Sequence, residues 1–352
     1  MCDNKLSLSP KLQNDGNMFT TLSTLPSMTI VLTNKCNSKC VMCNYWKYKD
    51  FEFLPYKIIE SCISDFKKLN IQSVTLTGGE PLLHPEWSDF ATLLKKNNIS
   101  IHLMTNGLLL MKERNHIKDL VDSITVSFDG GTPESYEKIR GVNAFNIVLN
   151  GVKEIREMGK PIRLRTIIQK GNYQDMLKLI NIAKEYGTTI TFQQIDVYSQ
   201  IGYGMIDNIQ LDINKESCWN YTLSEDEICK LDNIIEEITV VYHNEIATGI
   251  IIESPENLKM ISKYFKSLHQ QETFTNNICN MPFYTSVIDY DLSIRPCFFL
   301  SMCAKLTDKN NLIESLNTDE MKKMRAQIIE GQRDECKFCV VARYKPLDSF
   351  KK

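Results

Sequence analysis

No run of about 18 apolar residues occurs in this 352-residue chain, so no helix in it is expected to span a bilayer. The first 27 residues hold no basic stretch leading into an apolar one, and no export signal is read there. The chain is therefore expected in the cytoplasm. A surplus of one charge is also missing. Lys and Arg number 41 against 43 Asp and Glu, a formal net charge of −2. On that balance neither nucleic acid nor an anionic membrane is expected as a partner. Histidine is scarce, at five residues. His84, His102 and His116 stand apart without metal-ligand spacing and are read as structural.

Cysteine is the opposite case. Twelve occur, at 2, 36, 40, 43, 62, 218, 229, 279, 297, 303, 336 and 339. In a reducing compartment so many thiols point to metal or catalysis rather than to disulfides. Their clustering carries the information. The rest of the composition, 43% hydrophobic and 24% charged, is that of an ordinary globular protein with room for one large domain or two modest ones.

Strand and helix signals alternate through the first half. Met28-Thr29-Ile30-Val31-Leu32-Thr33 is a strand. Pro55 to Leu69 is a helix with Ile58, Ile59, Cys62, Ile63 and Phe66 on one face, Cys62 serving there as a small hydrophobe. Further strands fall at Ser73–Thr77, Ile101–Met104, Ser123–Gly130, Arg163–Ile168 and Thr189–Ile195. Helices fall at 111–120, at Glu134 to Met158 with a break near Gly141, and at Tyr173 to Tyr186. Six such alternations imply parallel strands joined by helical crossovers. Architectures of this kind carry their functional groups at the C-terminal ends of the strands. Those ends hold Cys36, Cys40 and Cys43, then Gly78-Gly79-Glu80, Asn106, Ser127 and Asp129, Gln169, and Gln193 with Gln194.

The first strand runs directly into Cys36-x3-Cys40-x2-Cys43. A 4Fe–4S cube takes four thiolates, so three leave one iron open to a ligand. A structural zinc knuckle is the competing reading of the cysteines alone. One strand later, two glycines that permit a sharp turn are followed by Glu80, an acceptor suited to an ammonium group.

In order and in placement these motifs resemble the radical S-adenosylmethionine (radical SAM) enzymes. The resemblance implies a partial (β/α)6 TIM-like barrel over residues 28–196. It also implies SAM chelated to the open iron, with an electron from the cluster releasing a 5′-deoxyadenosyl radical that abstracts a substrate hydrogen. Gly78, Gly79 and Glu80 would hold the SAM amino group. Ser127 and Asp129 match the family's Ser-x-Asp-Gly strand end, and Asn106 and Gln193 join them as expected cofactor contacts. Met42 stands where the family usually has an aromatic residue beside the adenine. Arg140 either faces the SAM carboxylate or is a solvated helix arginine, the second being the expectation.

Residues 1–27 are expected to form a flexible arm. Residues 197–278 break the alternation and are expected to be a helical, substrate-facing connection, with a mobile loop at Gly202-Tyr203-Gly204. It includes helices at Thr222 to Val241, opened by a Ser224/Glu227 capping box, and at Glu256 to His269. Cys218 and Cys229 have no metal-like partner in it. In residues 279–352, strands on either side of Asp289-Tyr290-Asp291 would carry Cys279 and Cys297, and a helix from Ser315 to Glu330 would return Cys336 and Cys339. Zinc and 4Fe–4S both accept four cysteines. Behind a radical SAM barrel the set resembles the shortened SPASM, or twitch, domain, which implies one auxiliary 4Fe–4S cluster and two clusters in all. Cys303 is left over, as a bystander, a swapped ligand or a hydrogen-atom donor.

The resemblance implies a flavodoxin or ferredoxin as electron donor. Twitch-type members include dehydrogenases and epimerases of sugars and aminocyclitols, and maturases of ribosomal peptides. Only 35 residues precede Cys36, too few for a leader-binding domain. The expectation is oxidation or epimerisation of a small polar metabolite. Radical maturation of a peptide is the alternative, and a non-catalytic iron–sulfur or zinc protein the remote one.

Overall fold

The computed structural model describes residues 20–197, 220–272, 274, 279–307 and 311–341. The expected loop at Gly202-Tyr203-Gly204, and Cys2 and Cys218, lie outside the described residues. Nine strands form one sheet in the order β6-β5-β4-β3-β2-β1-β7-β8-β9. The first six are β1 Ser27–Val31, β2 Ser73–Thr77, β3 Ser100–Thr105, β4 Ser123–Ser127, β5 Ile162–Ile168 and β6 Thr189–Gln194. Each pairs in parallel with the next. The helices between them are α1 Tyr56–Lys68, α2 Trp87–Lys96, α3 Leu110–Leu120, α4 Pro133–Arg140, α5 Phe145–Glu157 and α6 Met176–Glu185.

Strict alternation in the strands decides the two faces of the sheet. Met28, Ile30, Val74, Leu76, Ile101, Leu103, Val126, Leu164 and Ile190 are buried against the helices. Each such burial is worth about 1.5–3 kcal/mol, and a one-residue slip would turn the whole set to the wrong side. The intervening positions include Thr29, Thr75, His102, Thr125, Arg163, Arg165 and Thr191, with the apolar Val31, Met104 and Ile167 among them. His102, Ser123, Thr125, Arg163 and Thr189 line a cavity of about 530 Å3 at the N-terminal ends of β3–β6.

The C-terminal segment joins this sheet rather than standing apart. β7 Val287–Ile288 pairs in parallel with β1, through Thr29–Val287 and Ile30–Ile288, as a seventh parallel strand. β8 Ser293–Arg295 and β9 Ala304–Lys305 then extend it antiparallel. The helix expected from Ser315 to Glu330 is two, Leu312–Leu316 and Asp319–Ile329. The break falls where Thr318 caps the second helix, its hydroxyl accepting from the Met321 N–H at 3.3 Å.

Two expectations change here. Residues 20–27 are not a flexible arm: Leu22 and Leu25 are buried, Leu22 and Asn317 exchange two hydrogen bonds of 2.7 and 3.0 Å, and Arg325 donates to the Thr20 carbonyl at 2.6 Å. The described part of 197–278 touches the cysteine loop near its start, where the Tyr221 hydroxyl donates to Val41 O at 2.9 Å, and then turns to the outside. Its helices Glu225–Val241 and Pro255–Leu268 pack beside α6 and β6. The adjoining segment closes the outer edge of β6, with the Glu253 carboxylate accepting from the Phe192 N–H at 3.0 Å. The Ser224/Glu227 capping box forms as expected.

Candidate active site

The loop after β1 is clamped from three sides. On one side Gly78 and Gly79 lie so close that a Cβ would stand 2.6 Å from the Thr33 carbonyl and 2.3 Å from the Lys35 carbonyl. The Gly79 and Glu80 N–H groups donate to those same two carbonyls, each at 2.8 Å. On the second side, α4 ends beneath the loop. Lys39 N–H donates to the Arg140 carbonyl at 3.0 Å and Val41 N–H to Ile139 at 2.9 Å. Gly141 closes α4 with φ 68°, and a Cβ there would meet the Lys39 carbonyl at 2.4 Å. On the third side the chain folds back, Thr33 Oγ1 donating to Glu52 O at 2.6 Å and Glu52 N–H to Asn34 Oδ1 at 2.8 Å.

Glu80 is fully buried and its carboxylate is occupied. Oε1 accepts from Thr105 Oγ1 at 2.8 Å and Leu82 N–H at 3.2 Å, and Oε2 from Asn106 N–H at 2.7 Å. Burial raises its pKa above the carboxylate range, and the hydrogen bonds to Asn106, Thr105 and Leu82 oppose that rise. Asn106 in turn donates to Asn37 Oδ1 at 2.7 Å and points the same amide at Cys36 Sγ, 3.9 Å away. Ser38 N–H also points at Cys36 Sγ, at 3.5 Å. Two N–H donors aimed at one sulfur suit an anionic thiolate ligand.

Asp129 departs from its expected place. It is fully buried; Oδ2 receives Arg140 Nη1 at 3.0 Å and Oδ1 receives Ile167 N–H at 2.7 Å. Arg140 departs too: it is buried rather than solvated. Burial works against its charge, but the neighbouring Cys40, Asp129 and Tyr136 outweigh burial and keep it protonated. Its Nε has no hydrogen-bond partner, nor have the buried Ser38 Oγ and Tyr136 Oη. Ser127 ends β4 beside Arg165 of β5. Gln193 is tied to the C-terminal segment, donating to Val340 O at 3.1 Å and accepting from Arg165. Gln169 donates to Met42 Sδ at 3.8 Å, which places Met42 against the rim.

Burial pushes the Cys36 thiol up to about 11 and Cys43 up to about 12, and the three thiols sense one another's charge. Cys279, Cys297, Cys336 and Cys339 line a second, small cavity with Met281, Pro282, Phe299, Leu300 and Ile328. Both sets have the chemistry of a thiolate-held group: three cysteines share one clamped loop and four line one cavity. Among the described residues no three His, Cys, Asp or Glu side chains close on a point where one metal ion would sit.

Cys303 is buried apart from both sets. Its electrostatic neighbours are Glu320, Arg333 and Arg325, and its thiol donates to Ser301 O at 3.6 Å. Cys62 is buried on α1 and Cys229 is exposed.

Sequence reasoning passed over the rim position that follows β7. There Asp289 and Arg295 form a close, buried ion pair of 2.6 Å. The fully buried Tyr45, two residues after Cys43, senses Asp289 and Arg295. A strand of only two residues concealed that rim position.

The radical SAM superfamily model matches residues 30–181, the span from β1 into α6. This chain carries a radical SAM domain. The cysteine loop, the Gly-Gly-Glu turn and the Ser-x-Asp-Gly strand end all lie within it. Two similar relatives are the GTP 3′,8-cyclases of Nautilia profundicola and Limosilactobacillus fermentum. The first is 30% identical over 180 residues, covering 46% of this chain and 54% of the relative. The second is 30% identical over 172 residues, covering 46% and 52%. The chain thus spans about half the length of these relatives. Similar solved structures extend further. Streptococcus suis SuiB bound to S-adenosylmethionine has a TM-score of 0.62 at 16% identity, over 95% of this chain and 75% of that one. The enzyme anSMEcpe with bound AdoMet and Cp18Cys peptide has a TM-score of 0.62 at 17% identity, over 87% and 83%. At such identities the likeness is one of fold. No helix among the described residues is long and apolar enough to cross a membrane.

Proposed function

We propose that Cys36, Cys40 and Cys43 hold a 4Fe–4S cluster beside a SAM site, and that this radical SAM domain abstracts a hydrogen atom from a small polar metabolite. The carrying observation is the three-sided clamp on the cysteine loop. It fixes three thiols against the Gly78-Gly79-Glu80 turn at the strand ends, and it aims two N–H donors at Cys36 Sγ. With cluster and SAM bound, the site would supply one electron to the sulfonium and a carbon-centred radical to the substrate.

The residues divide the work. Glu80 uses its carboxylate to fix Asn106 and Thr105, which leaves the backbone of the Gly78–Gly79 turn for the SAM amino group. Asp129 and Arg140 anchor α4 under Cys40. Ser127 and Gln193 stand at the strand ends that face the cofactor. Cys279, Cys297, Cys336 and Cys339 are proposed to hold an auxiliary 4Fe–4S cluster, fully ligated and hence an electron relay. A multi-iron cube gives each thiolate its own iron.

Arg165, beside Ser127 and bonded to Gln193 towards the C-terminal strand ends, supports a polar substrate and oxidation or epimerisation of it. The likeness to SuiB, which is also seen bound to its precursor peptide SuiA, supports the second reading, maturation of a peptide.

The test is 5′-deoxyadenosine formation by the anaerobically reconstituted chain with SAM and reductant, fed host-cell extract split by ultrafiltration. Stimulation by the small-molecule fraction is expected. Stimulation by the retained fraction alone would transfer the assignment to a peptide. No deoxyadenosine from iron-loaded protein would overturn the radical reading.

A further inference from the structure

The cavity at the N-terminal ends of β3–β6 belongs to none of the chemistry assigned so far. The cysteine loop follows the C-terminal end of β1, and the cavity lies at the other end of the same sheet. A strand rises about 3.3 Å per residue, so the seven residues of β5 put about 20 Å between its two ends. The volume of about 530 Å3 falls within the range of small-molecule sites.

Its lining carries charge of one sign. Arg156, in the last turn of α5, and Arg163, near the start of β5, stand in it, and no Asp or Glu does. Both arginines are exposed. Arg156 spends only its Nε, which donates to the Gly187 carbonyl at 2.6 Å. Arg163 makes no hydrogen bond or ion pair among the described residues. Glu253 senses Arg163, but its two carboxylate oxygens already accept from Thr191 Oγ1 and Phe192 N–H.

Hydroxyls add further donors. Thr188 spends its own on the Ile162 carbonyl at 2.5 Å, whereas the Thr189 hydroxyl has no partner among the described residues. His102 bonds Ser123 Oγ at 2.8 Å and Thr125 Oγ1 at 3.0 Å. Burial and Arg163 keep its ring neutral, so one ring nitrogen donates and the other accepts. In either tautomer one of the two hydroxyls accepts from the ring and keeps its O–H for a ligand. Ile124, Pro161 and Ile162 give the cavity an apolar wall. Guanidinium forks and hydroxyl donors with no acid among them match an oxyanion. A phosphoryl group brings three acceptor oxygens and close to two negative charges, enough for both arginines; a carboxylate brings two oxygens and one charge.

We propose that Arg156 and Arg163, with Ser123, Thr125 and Thr189, bind a phosphoryl group, either free phosphate or that of a small phosphorylated molecule. This site needs neither the cluster nor SAM.

The experiment is calorimetric titration of the anaerobic, iron-loaded full chain with inorganic phosphate and with glycerol 1-phosphate, glycerol being the uncharged control. Saturable binding of at least one of the two anions is expected, and none of glycerol. Tighter binding of glycerol 1-phosphate would identify an organic phosphate as the ligand, and equal or tighter binding of inorganic phosphate the free ion. Arg163→Gln is expected to weaken binding about tenfold or more, with iron content and circular dichroism unchanged. Arg163→Lys, which keeps the charge without the fork, should weaken it less. Arg156→Gln tests the second guanidinium in the same way. No binding to wild type at millimolar anion, or binding unaltered in both glutamine variants, would overturn the site. Binding lost in Arg163→Gln only together with iron and circular dichroism would assign that arginine to the fold and overturn it as well.

Discussion

Arg140 and Asp129 form a buried ion pair of 3.0 Å directly beneath the cysteine loop, and the Arg140 carbonyl holds Lys39 of that loop. Breaking a buried pair from one side leaves an uncompensated charge, at a cost of about 3–5 kcal/mol. Asp129→Asn keeps an acceptor for Ile167 N–H and should cost less than Asp129→Ala. Both, and Arg140→Met, should lower the urea midpoint and the iron retained after desalting. Full iron retention in Arg140→Met would remove the pair from the support of the site.

Glu80→Gln tests whether the carboxylate or the turn matters. An amide can accept from Thr105 or from Asn106, but its NH2 then confronts the other donor. The expected cost is about 1–3 kcal/mol. Asn106 should shift, and deoxyadenosine formation should fall by more than tenfold while circular dichroism stays near wild type. Activity within twofold of wild type would show that Asn106 is held in place without this carboxylate.

The two kinds of C-terminal cysteine should separate cleanly. Cys297 lines the four-thiol cavity and Cys303 does not. Cys297→Ala should take iron content from about eight to about four per chain. Cys303→Ala should keep all of it and lose only about 1 kcal/mol of packing. Loss of product with retained deoxyadenosine in Cys303→Ala would restore its role as a hydrogen donor.

His102 gives the chain a pH dependence of its own. Its ring bonds Ser123 Oγ at 2.8 Å and Thr125 Oγ1 at 3.0 Å. Burial, helped by Arg163, pushes its pKa from 6.5 down to about 4. Between those values the unfolded chain binds a proton that the folded chain does not. The contribution is therefore complete above about pH 6.5 and is lost as the pH falls towards 4, about 3 kcal/mol in all. Denaturant midpoints should drop over that window, and less so in His102→Gln. Parallel curves for the two proteins would count against this residue.

Arg325 is fully buried and, among the described residues, bonds to neutral oxygens: Thr20 O at 2.6 Å, Leu316 O at 2.8 Å and Asn317 Oδ1 at 3.4 Å. Arg325→Met should orphan those acceptors and cost about 2–4 kcal/mol. Faster proteolysis should begin near residues 20–27. Unchanged proteolysis would show that the Leu22–Asn317 bonds suffice.

Six strand–helix alternations were legible because period-two and period-3.6 patterns are local, and they placed the cysteine loop, Gly78-Gly79-Glu80 and Ser127 at the strand ends. Asp129 and Arg140 were misplaced for a physical reason. An arginine in the last turn of a helix looks solvated until the tertiary fold brings a carboxylate eleven residues away beneath it. The strand Val287–Ile288 was recognisable as extended. Its partner, β1, lies more than 250 residues earlier, and no local pattern reports such a pairing. Asp289 was lost with it.

That pairing also orders events in time. β1 has a neighbour on one side from residues 73–77, but on the other only from residues 287–288. During synthesis the strand that leads into Cys36 therefore remains an open sheet edge until residues 287–288 have been made. The nascent polypeptide presents its cysteine loop beside an unfinished seam, and the later segment that closes the seam also brings the second set of thiols.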